Sequence, residues 1–327
     1  MTNNFRNAEV LITGGAGFIG STLAMSLVEK GARVTIVDAM IPPYGGNMFN
    51  LQDIITKIQF LKEDVRDEKK MKKIMQGKDF VFHLAAQTGR LISMEKPEFD
   101  FDINYNGTLS VLKAIASEKR NIKLVFASSR GVVGAPVYLP VDENHPTYPR
   151  DTYGKNKLKA EGLCIAFSKT HGFSATSLRF NNVYGPRCQI KSNHYGTINL
   201  FIRYALEGKV LPIYGDGRQT RDYIYIDDTV DALIRAISKK SDGEIFFVGA
   251  GKGYSLLDIV SFIKEEITTV TYTLIPYPKN LEKIDFSRFT SSFEKIEKTL
   301  GWNPKIDIKE GIRKTATWYR DYLPYYL

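Results

Sequence analysis

The sequence predicts an α/β fold: a doubly wound, mostly parallel sheet with a smaller C-terminal lobe for substrate. Three observations carry this expectation. Short apolar runs recur along the first part of the chain, each with the length and composition of a strand buried on both faces. Helix-length segments separate them, and strands alternating with helices indicate a parallel sheet covered on both sides. Beyond about residue 180 the alternation loses its regularity and the loops grow richer in Pro, Gly and Tyr. The expected division is a nucleotide-binding unit over 1–180, with a returning segment near 221–250, and a substrate-binding lobe over 181–327. A chain of 327 residues is long enough to bury a large core.

Glu9–Thr13 reads as the first buried strand. It runs into Gly14-Gly15-Ala16-Gly17-Phe18-Ile19-Gly20, and Ser21–Lys30 then reads as an amphipathic helix stopped by Gly31. A second strand, Arg33–Val37, ends at Asp38. Strand, glycine turn, helix, strand and acid are the parts of a dinucleotide-binding unit. Gly14 permits the tight turn, Gly17 lets the backbone approach a pyrophosphate, and Gly20 lets helix and strand pack closely. The helix N-terminus offers N–H groups and a positive dipole end to phosphates. The spacing is G-x-x-G-x-x-G rather than the commoner G-x-G-x-x-G, so its placement between strand and helix is what makes it specific. Asp38 stands 18 residues after Gly20 and has two readings. It accepts hydrogen bonds from ribose hydroxyls, which favours NAD over NADP, or it is a strand-end turn residue.

Further strands are expected at Asp79–Ala85, Lys123–Ala127 and Ala175–Arg179, with helices at Glu68–Gln76, Thr108–Ser117 and Tyr153–Thr170. Ligands on such sheets bind beyond the strand C-terminal ends. Ser128 and Ser129 fall just past one such end and Ala85-Ala86 past another, on the side of the glycine loop. Tyr153 and Lys157 are four residues apart, so on a helix they share one face. A cation beside a phenol lowers its pKa from about 10, which makes Tyr153 a base nearer neutral pH. With 18 Tyr in the chain, a surface Tyr beside an unrelated Lys is the competing reading. Ser129, expected on the same side, turns the pair into a coherent site.

Bulk properties narrow the classes. Hydrophobic content of 43% and charged content of 25% are ordinary for a globular protein. No apolar run has the length of a membrane helix, and the polar N-terminus has no signal-peptide core, so no membrane partner is expected. Cys164 and Cys188 form neither a disulfide framework nor a metal spacing, which suits a reducing cytoplasm. Four scattered His give no metal site. The net charge of +9 raises nucleic acid as a partner, but the densest cluster, Lys69, Lys70, Lys72 and Lys73, reads as one solvated helix face. A polyanionic small substrate in a basic cleft is the reading kept.

Thr13–Gly20, Asp64–Asp67, His83–Gln87, Asn104–Thr108, Ser128-Ser129 with Gly134, Tyr153-x-x-x-Lys157, Leu178–Pro186 and Gly215–Tyr223 together resemble a known family nearly end to end. It is the extended short-chain dehydrogenases/reductases, specifically the NAD-dependent epimerase/dehydratase family acting on nucleotide sugars. The resemblance implies a Rossmann-type fold, NAD, a nucleotide-diphosphate sugar substrate, and a homodimer through helices near 104–118 and 153–169. It implies cofactor contacts from Gly14, Gly17, Phe18, Ile19, Gly20, Asp38, Asp64, Val65, Leu84, Ala85, Ala86, Tyr153 and Lys157. Tyr153 is the expected base, Lys157 lowers its pKa and holds a ribose hydroxyl, and Ser129 hydrogen-bonds the sugar hydroxyl. Asn182 is implied at the substrate, and Arg221 is a bidentate partner of its diphosphate or a surface arginine.

The departures from the family pattern narrow the reaction. In the sugar 4,6-dehydratases two acids follow the catalytic Ser/Thr, whereas Arg130 and Gly131 stand here, so elimination is disfavoured. The Glu usual in the decarboxylases' turn is also missing, and Val133 replaces a usual Tyr. An Arg usual near the C-terminus is replaced, with Lys283 and Arg288 as candidates for its role beside Glu282 and Asp285. Arg90 and Arg130 are additions near the expected sugar pocket. Each either meets a polar or anionic sugar substituent or forms a salt bridge. The leading expectation is a nucleotide-sugar 4-epimerase working through a transient 4-keto sugar. A 4-dehydrogenase that releases a keto sugar and NADH is the alternative. A catalytically silent NAD-binding protein is the reading from another class, and the intact Ser129, Tyr153 and Lys157 argue against it.

Overall fold

The computed structural model describes residues 5–42, 44–191, 196–277 and 287–327. The first half alternates as β1 (Glu9–Thr13), α1 (Phe18–Glu29), β2 (Arg33–Val37), β3 (Ile58–Leu61), α2 (Glu68–Met75), β4 (Phe80–His83), α3 (Arg90–Glu95), α4 (Pro97–Phe101), α5 (Gly107–Ser117), β5 (Lys123–Ser129), α6 (Thr152–His171) and β6 (Ser174–Phe180). The second half holds β7 (Asn182–Tyr184), α7 (Thr197–Leu206), β8 (Leu211–Tyr214), β9 (Thr220–Tyr225), α8 (Ile226–Arg235), β10 (Ile245–Val248), β11 (Gly253–Ser255), α9 (Leu256–Glu266), β12 (Tyr272–Ile275), α10 (Glu294–Leu300) and α11 (Ile308–Tyr322).

Seven strands form one sheet in the order β10-β6-β5-β4-β1-β2-β3, and every pairing in it is parallel. β1 shows why its sequence is apolar throughout. Val10 and Ile12 join a core on one face and Leu11 joins a second core on the other, so no position faces water. Helices α1 and α8 pack together on the first side, while α2, α5 and α6 cover the second. The chain leaves β1 for β2 on one side and returns to β4 on the other, and this reversal opens a crevice at the strand C-terminal ends.

The expected returning segment enters the sheet only over its last residues, as β10 beside β6. The remainder of the second half builds a three-stranded sheet, β11-β9-β7, and a two-stranded sheet, β12-β8. One apolar core runs from Val10 on β1 to Tyr326 near the C-terminus, crossing residue 180 without a break. Among the described residues no helix is long and apolar enough to cross a membrane.

Two of the boundaries that differ from expectation matter for the site. Helix α1 begins at Phe18 rather than Ser21, because Gly17 is extended (ψ −177°) and admits the helix directly. Strand β5 continues through Ser128 and Ser129, because β6 supplies ladder partners at Arg179 and Phe180. Ser129 therefore ends a strand instead of following one. Ahead of α5 the helical path starts at Pro97 and passes through a π-helical turn at Asp102–Asn106, the kind of irregularity often found at functional sites.

Candidate functional site

A cavity of about 510 Å³ opens at the C-terminal ends of the sheet. Its lining brings together Gly14, Gly17, Phe18, Ile19, Gly20, Asp38, Asp64, Val65, Leu84, Ala85, Ala86, Ser129, Tyr153, Lys157, Asn182 and Arg90. Gly14 and Asn182, far apart in sequence, thus face one space.

The glycine loop has the geometry its spacing implies. Gly14 has φ +70°, and a Cβ there would stand 2.7 Å from the Ala85 nitrogen. A Cβ on Gly20 would fall inside the van der Waals shell of the Gly14 carbonyl oxygen, so helix and turn touch backbone to backbone. Gly17 is the N-cap of α1 and borders the cavity without a side chain to fill it. Because α1 starts at Phe18, its first-turn residues Phe18, Ile19 and Gly20 lie on the lining, where a helix N-terminus favours phosphate. Asp38 accepts from the Ala16 nitrogen at 3.1 Å and from the Met40 nitrogen at 2.9 Å. It therefore fastens its own turn to the glycine loop while bordering the cavity, which unites its two readings. Burial raises its pKa, and the two backbone donors oppose the rise. A backbone cradle at a helix N-terminus, with one acid at the end of the second strand, fits a dinucleotide.

At the next strand ends, Asp64 is gripped by Arg66, whose Nη2 lies 2.7 Å from it and whose Nη1 reaches Asp102 at 2.7 Å. His83 braces β1 against α5: Nδ1 meets the Thr13 hydroxyl at 2.7 Å and Nε2 the Thr108 hydroxyl at 3.0 Å. Burial, with Lys157 adding to it, pushes its pKa down to about 3, so the ring is a neutral strut.

Tyr153 and Lys157 lie in the first turns of α6. Asp151 caps that helix, accepting from the Gly154 nitrogen at 2.7 Å, and the same carboxylate receives the Arg90 Nε at 2.6 Å. Ser93 accepts from the Tyr153 nitrogen at 3.0 Å. Behind them Asp100, with no exposed surface, accepts from Gln87 at 2.9 Å, Asn104 at 3.0 Å and Asn156 at 2.7 Å. Asn156 sits between Tyr153 and Lys157, so this buried carboxylate locks the turn that carries both. Ser93, Asp100, Asp151 and Asn156 were not foreseen. An N-cap signature before an expected helix could have found Asp151, but nothing in the sequence marks the others.

Burial dominates the proton affinities of the pair. Burial pushes the Tyr153 phenol up to about 12; a hydrogen bond with Ser129 opposes this, Asp100 and Asp151 add to it, and Arg90 opposes it. Lys157 is buried one turn further along the same helix. Its ammonium lies 4.1 Å from the Phe126 ring centroid, and burial pushes its pKa down to about 8, opposed by Cys164, Asp100 and Glu161. Desolvating a phenolate costs more here than its neighbours return, so helical spacing alone does not place Tyr153 near neutral pH.

The arginines divide between the cavity and the walls behind it. Arg90 borders the cavity, but its Nε is engaged with Asp151, the salt-bridge reading. Arg130 is not on the cavity lining among the described residues: its Nε donates to Asn182 Oδ1 at 3.0 Å and its guanidinium lies 5.0 Å from the Phe289 ring centroid. Arg221 is buried on β9, with Nη1 donating to the Thr220 carbonyl at 2.8 Å, and it too is off that lining. Val133 lies in a small apolar cluster with Val132, Val141, Phe247 and Phe289. Lys283, Glu282 and Asp285 lie outside the described residues, and Arg288 bridges to Thr220.

Comparison with known proteins agrees with this geometry. The model of the NAD dependent epimerase/dehydratase family matches residues 10–249. A protein of Methanocaldococcus jannaschii, described provisionally as a UDP-glucose 4-epimerase, is 38% identical over 95% of this chain and 98% of its own. The UDP-N-acetyl-alpha-D-glucosaminuronate decarboxylase of Bacillus cytotoxicus is 33% identical over 95% of this chain and 97% of its own. Among solved structures, the UDP-glucose 4-epimerase of Thermotoga maritima with UDP-glucose superimposes with a TM-score of 0.88 at 32% identity, covering 96% of this chain and 99% of that one.

Proposed function

The chain belongs to the NAD-dependent epimerase/dehydratase family, is an enzyme and uses NAD, and from that premise we propose that it epimerises a nucleotide sugar at C4. NAD, when bound, supplies the hydride acceptor and donor. Tyr153, acting from its phenolate form, takes the proton of the sugar hydroxyl as the C–H hydride leaves and gives it back when the hydride returns to the opposite face. Ser129 shares that hydroxyl oxygen with Tyr153, and Asn182 orients the sugar nucleotide from β7. Lys157 holds a ribose hydroxyl and places a positive charge beneath the reacting groups.

One observation carries the choice of epimerisation over elimination. Among the described lining residues the carboxylates Asp38, Glu63 and Asp64 follow β2 and β3, at the far end of the sheet from β5 and Tyr153. Gly131 has no side chain, and Arg130 is directed at Asn182. Water elimination needs an acid and a base at the sugar, whereas hydride removal and return needs a single proton-transfer group. The 4-epimerase relatives support the same reading. The reading includes a homodimer through α5 and α6, which sedimentation of the purified protein checks.

Mass spectrometry and NMR of incubations with UDP-, GDP-, CDP- and dTDP-sugars test the proposal. The expected product has unchanged mass and an inverted C4, with no net NADH absorbance. Accumulating NADH, or loss of two hydrogens, water or carbon dioxide from the sugar, rejects it.

A further inference from the structure

Asn50 is buried, with 3% of its surface exposed, and all the polar groups of its side chain are engaged. Nδ2 donates to the Ala16 carbonyl at 3.0 Å and to the Arg187 carbonyl at 3.3 Å, while Oδ1 accepts from the Tyr326 hydroxyl at 2.6 Å. Ala16 belongs to the glycine loop. Arg187 immediately precedes Cys188 and Gln189, which line the cavity from the second half of the chain. One planar amide therefore sets the spacing of three segments, at residues 16, 187 and 326.

The orientation of that amide matters. A carbonyl oxygen can only accept, so Ala16 and Arg187 both require the NH₂ end of Asn50, and Tyr326 holds the other end in place. Without the Tyr326 hydroxyl the amide keeps its two donated hydrogen bonds but loses the partner that fixes its oxygen end, so its position between the two carbonyls is less well defined. Arg187 has φ +71°, a region disfavoured for side chains other than glycine, so the direction of its carbonyl depends on its partners. The C-terminal segment holds the same wall a second time, the Tyr319 hydroxyl donating to the Cys188 carbonyl at 2.7 Å.

We propose that Asn50, oriented by Tyr326, is a positioning residue that ties the glycine loop to the Arg187–Gln189 wall, so that the two sides of the cavity become ordered together. The inference rests on NAD dependence and not on which sugar is turned over.

The test uses the full chain and NAD alone. Tyr326→Phe removes one hydroxyl and keeps the ring. NAD affinity is measured by equilibrium dialysis, and amide hydrogen exchange of residues 183–190 is followed with and without NAD. Removal of one hydrogen bond of ordinary strength predicts a Kd raised about threefold to tenfold. NAD should slow exchange of the 183–190 segment in the native protein, and much less in the variant. Asn50→Asp, which faces both carbonyls with an acceptor, should lose more affinity than Tyr326→Phe and provides the answer if the latter fails to fold. Thr315→Ala is the control: Thr315 is buried in α11, donates to the Gly311 carbonyl at 2.7 Å, and should leave affinity and protection unchanged. Native affinity in both site variants, movement of only one of the two readouts, or an equal loss in Thr315→Ala overturns the proposal. Failure of every sugar nucleotide to react would sink the epimerase reading and leave this result standing.

Discussion

In the cofactor half of the cavity the main chain forms the surface; in the half proposed for the sugar, side chains do. The first is contributed by Gly14 to Asp38, contiguous in sequence and shaped by missing Cβ atoms and a helix N-terminus. The second draws Ser129 from β5, Tyr153 and Lys157 from α6 and Asn182 from β7. Each of these is held by a residue that does not itself border the cavity: Gly131 for Ser129, Arg130 for Asn182, and Asp151 and Asp100 for the turn of α6. The difference teaches that a phosphate cradle tolerates little change in shape, while a sugar site depends on buried polar partners that must stay paired.

Four experiments break or sharpen this comparison. The largest effect is expected in the side-chain half from one atom. Tyr153→Phe should lower turnover about 10²–10⁴-fold, the range for losing a general acid–base group, with NAD binding retained by equilibrium dialysis. Unaltered turnover would overturn the assigned base.

Next comes the cost of burying charge behind the sugar half. Asp222 has no exposed surface, and burial pushes its pKa up to about 6, opposed by donors from Ser291, Ala250, Gly251 and Asn181. The folded state then binds the proton more tightly than the unfolded state, so stability present below about pH 4 is lost as pH rises through about 6. The shift corresponds to about 3 kcal/mol. Denaturant titrations from acid to neutral pH should show that slope in the native protein and its absence in Asp222→Asn. Parallel curves for the two proteins would disprove it.

Gly20→Ala tests the main-chain half. Its Cβ meets the Gly14 carbonyl oxygen, an overpacking that costs about 1–3 kcal/mol and should appear as lower stability and weaker NAD binding. Turnover at saturating NAD should remain near native, in contrast to Tyr153→Phe.

The smallest effect separates touching from positioning. Arg130→Ala frees Asn182 Oδ1, so KM for the sugar nucleotide should rise about fivefold, one hydrogen bond's worth, with kcat little changed. A lost kcat at native KM would place Arg130 at the reacting atoms instead.

Much of this was legible in order along the chain. Apolar runs with both faces buried identified β1, β2, β4, β5 and β6, and glycine spacing located the cradle, because both signals are local. Two of the errors of detail share a cause. α1 and β5 each extend beyond their expected ends because a neighbour supplies partners, Gly17 to the helix and β6 to the strand. The π-helical turn before α5 carries no composition signal at all.

By itself the sequence determined five of the seven strands of the main sheet, the glycine cradle and the convergence of Ser129, Tyr153 and Lys157 on one cavity, because strand burial, glycine turns and helical spacing are written within short windows. Only the tertiary structure decided where the arginines point, why Tyr153 is a weaker acid than its spacing implies, and how Asn50 joins two walls of the cavity. Those outcomes depend on burial and on hydrogen bonds between residues far apart in sequence, which no local pattern contains.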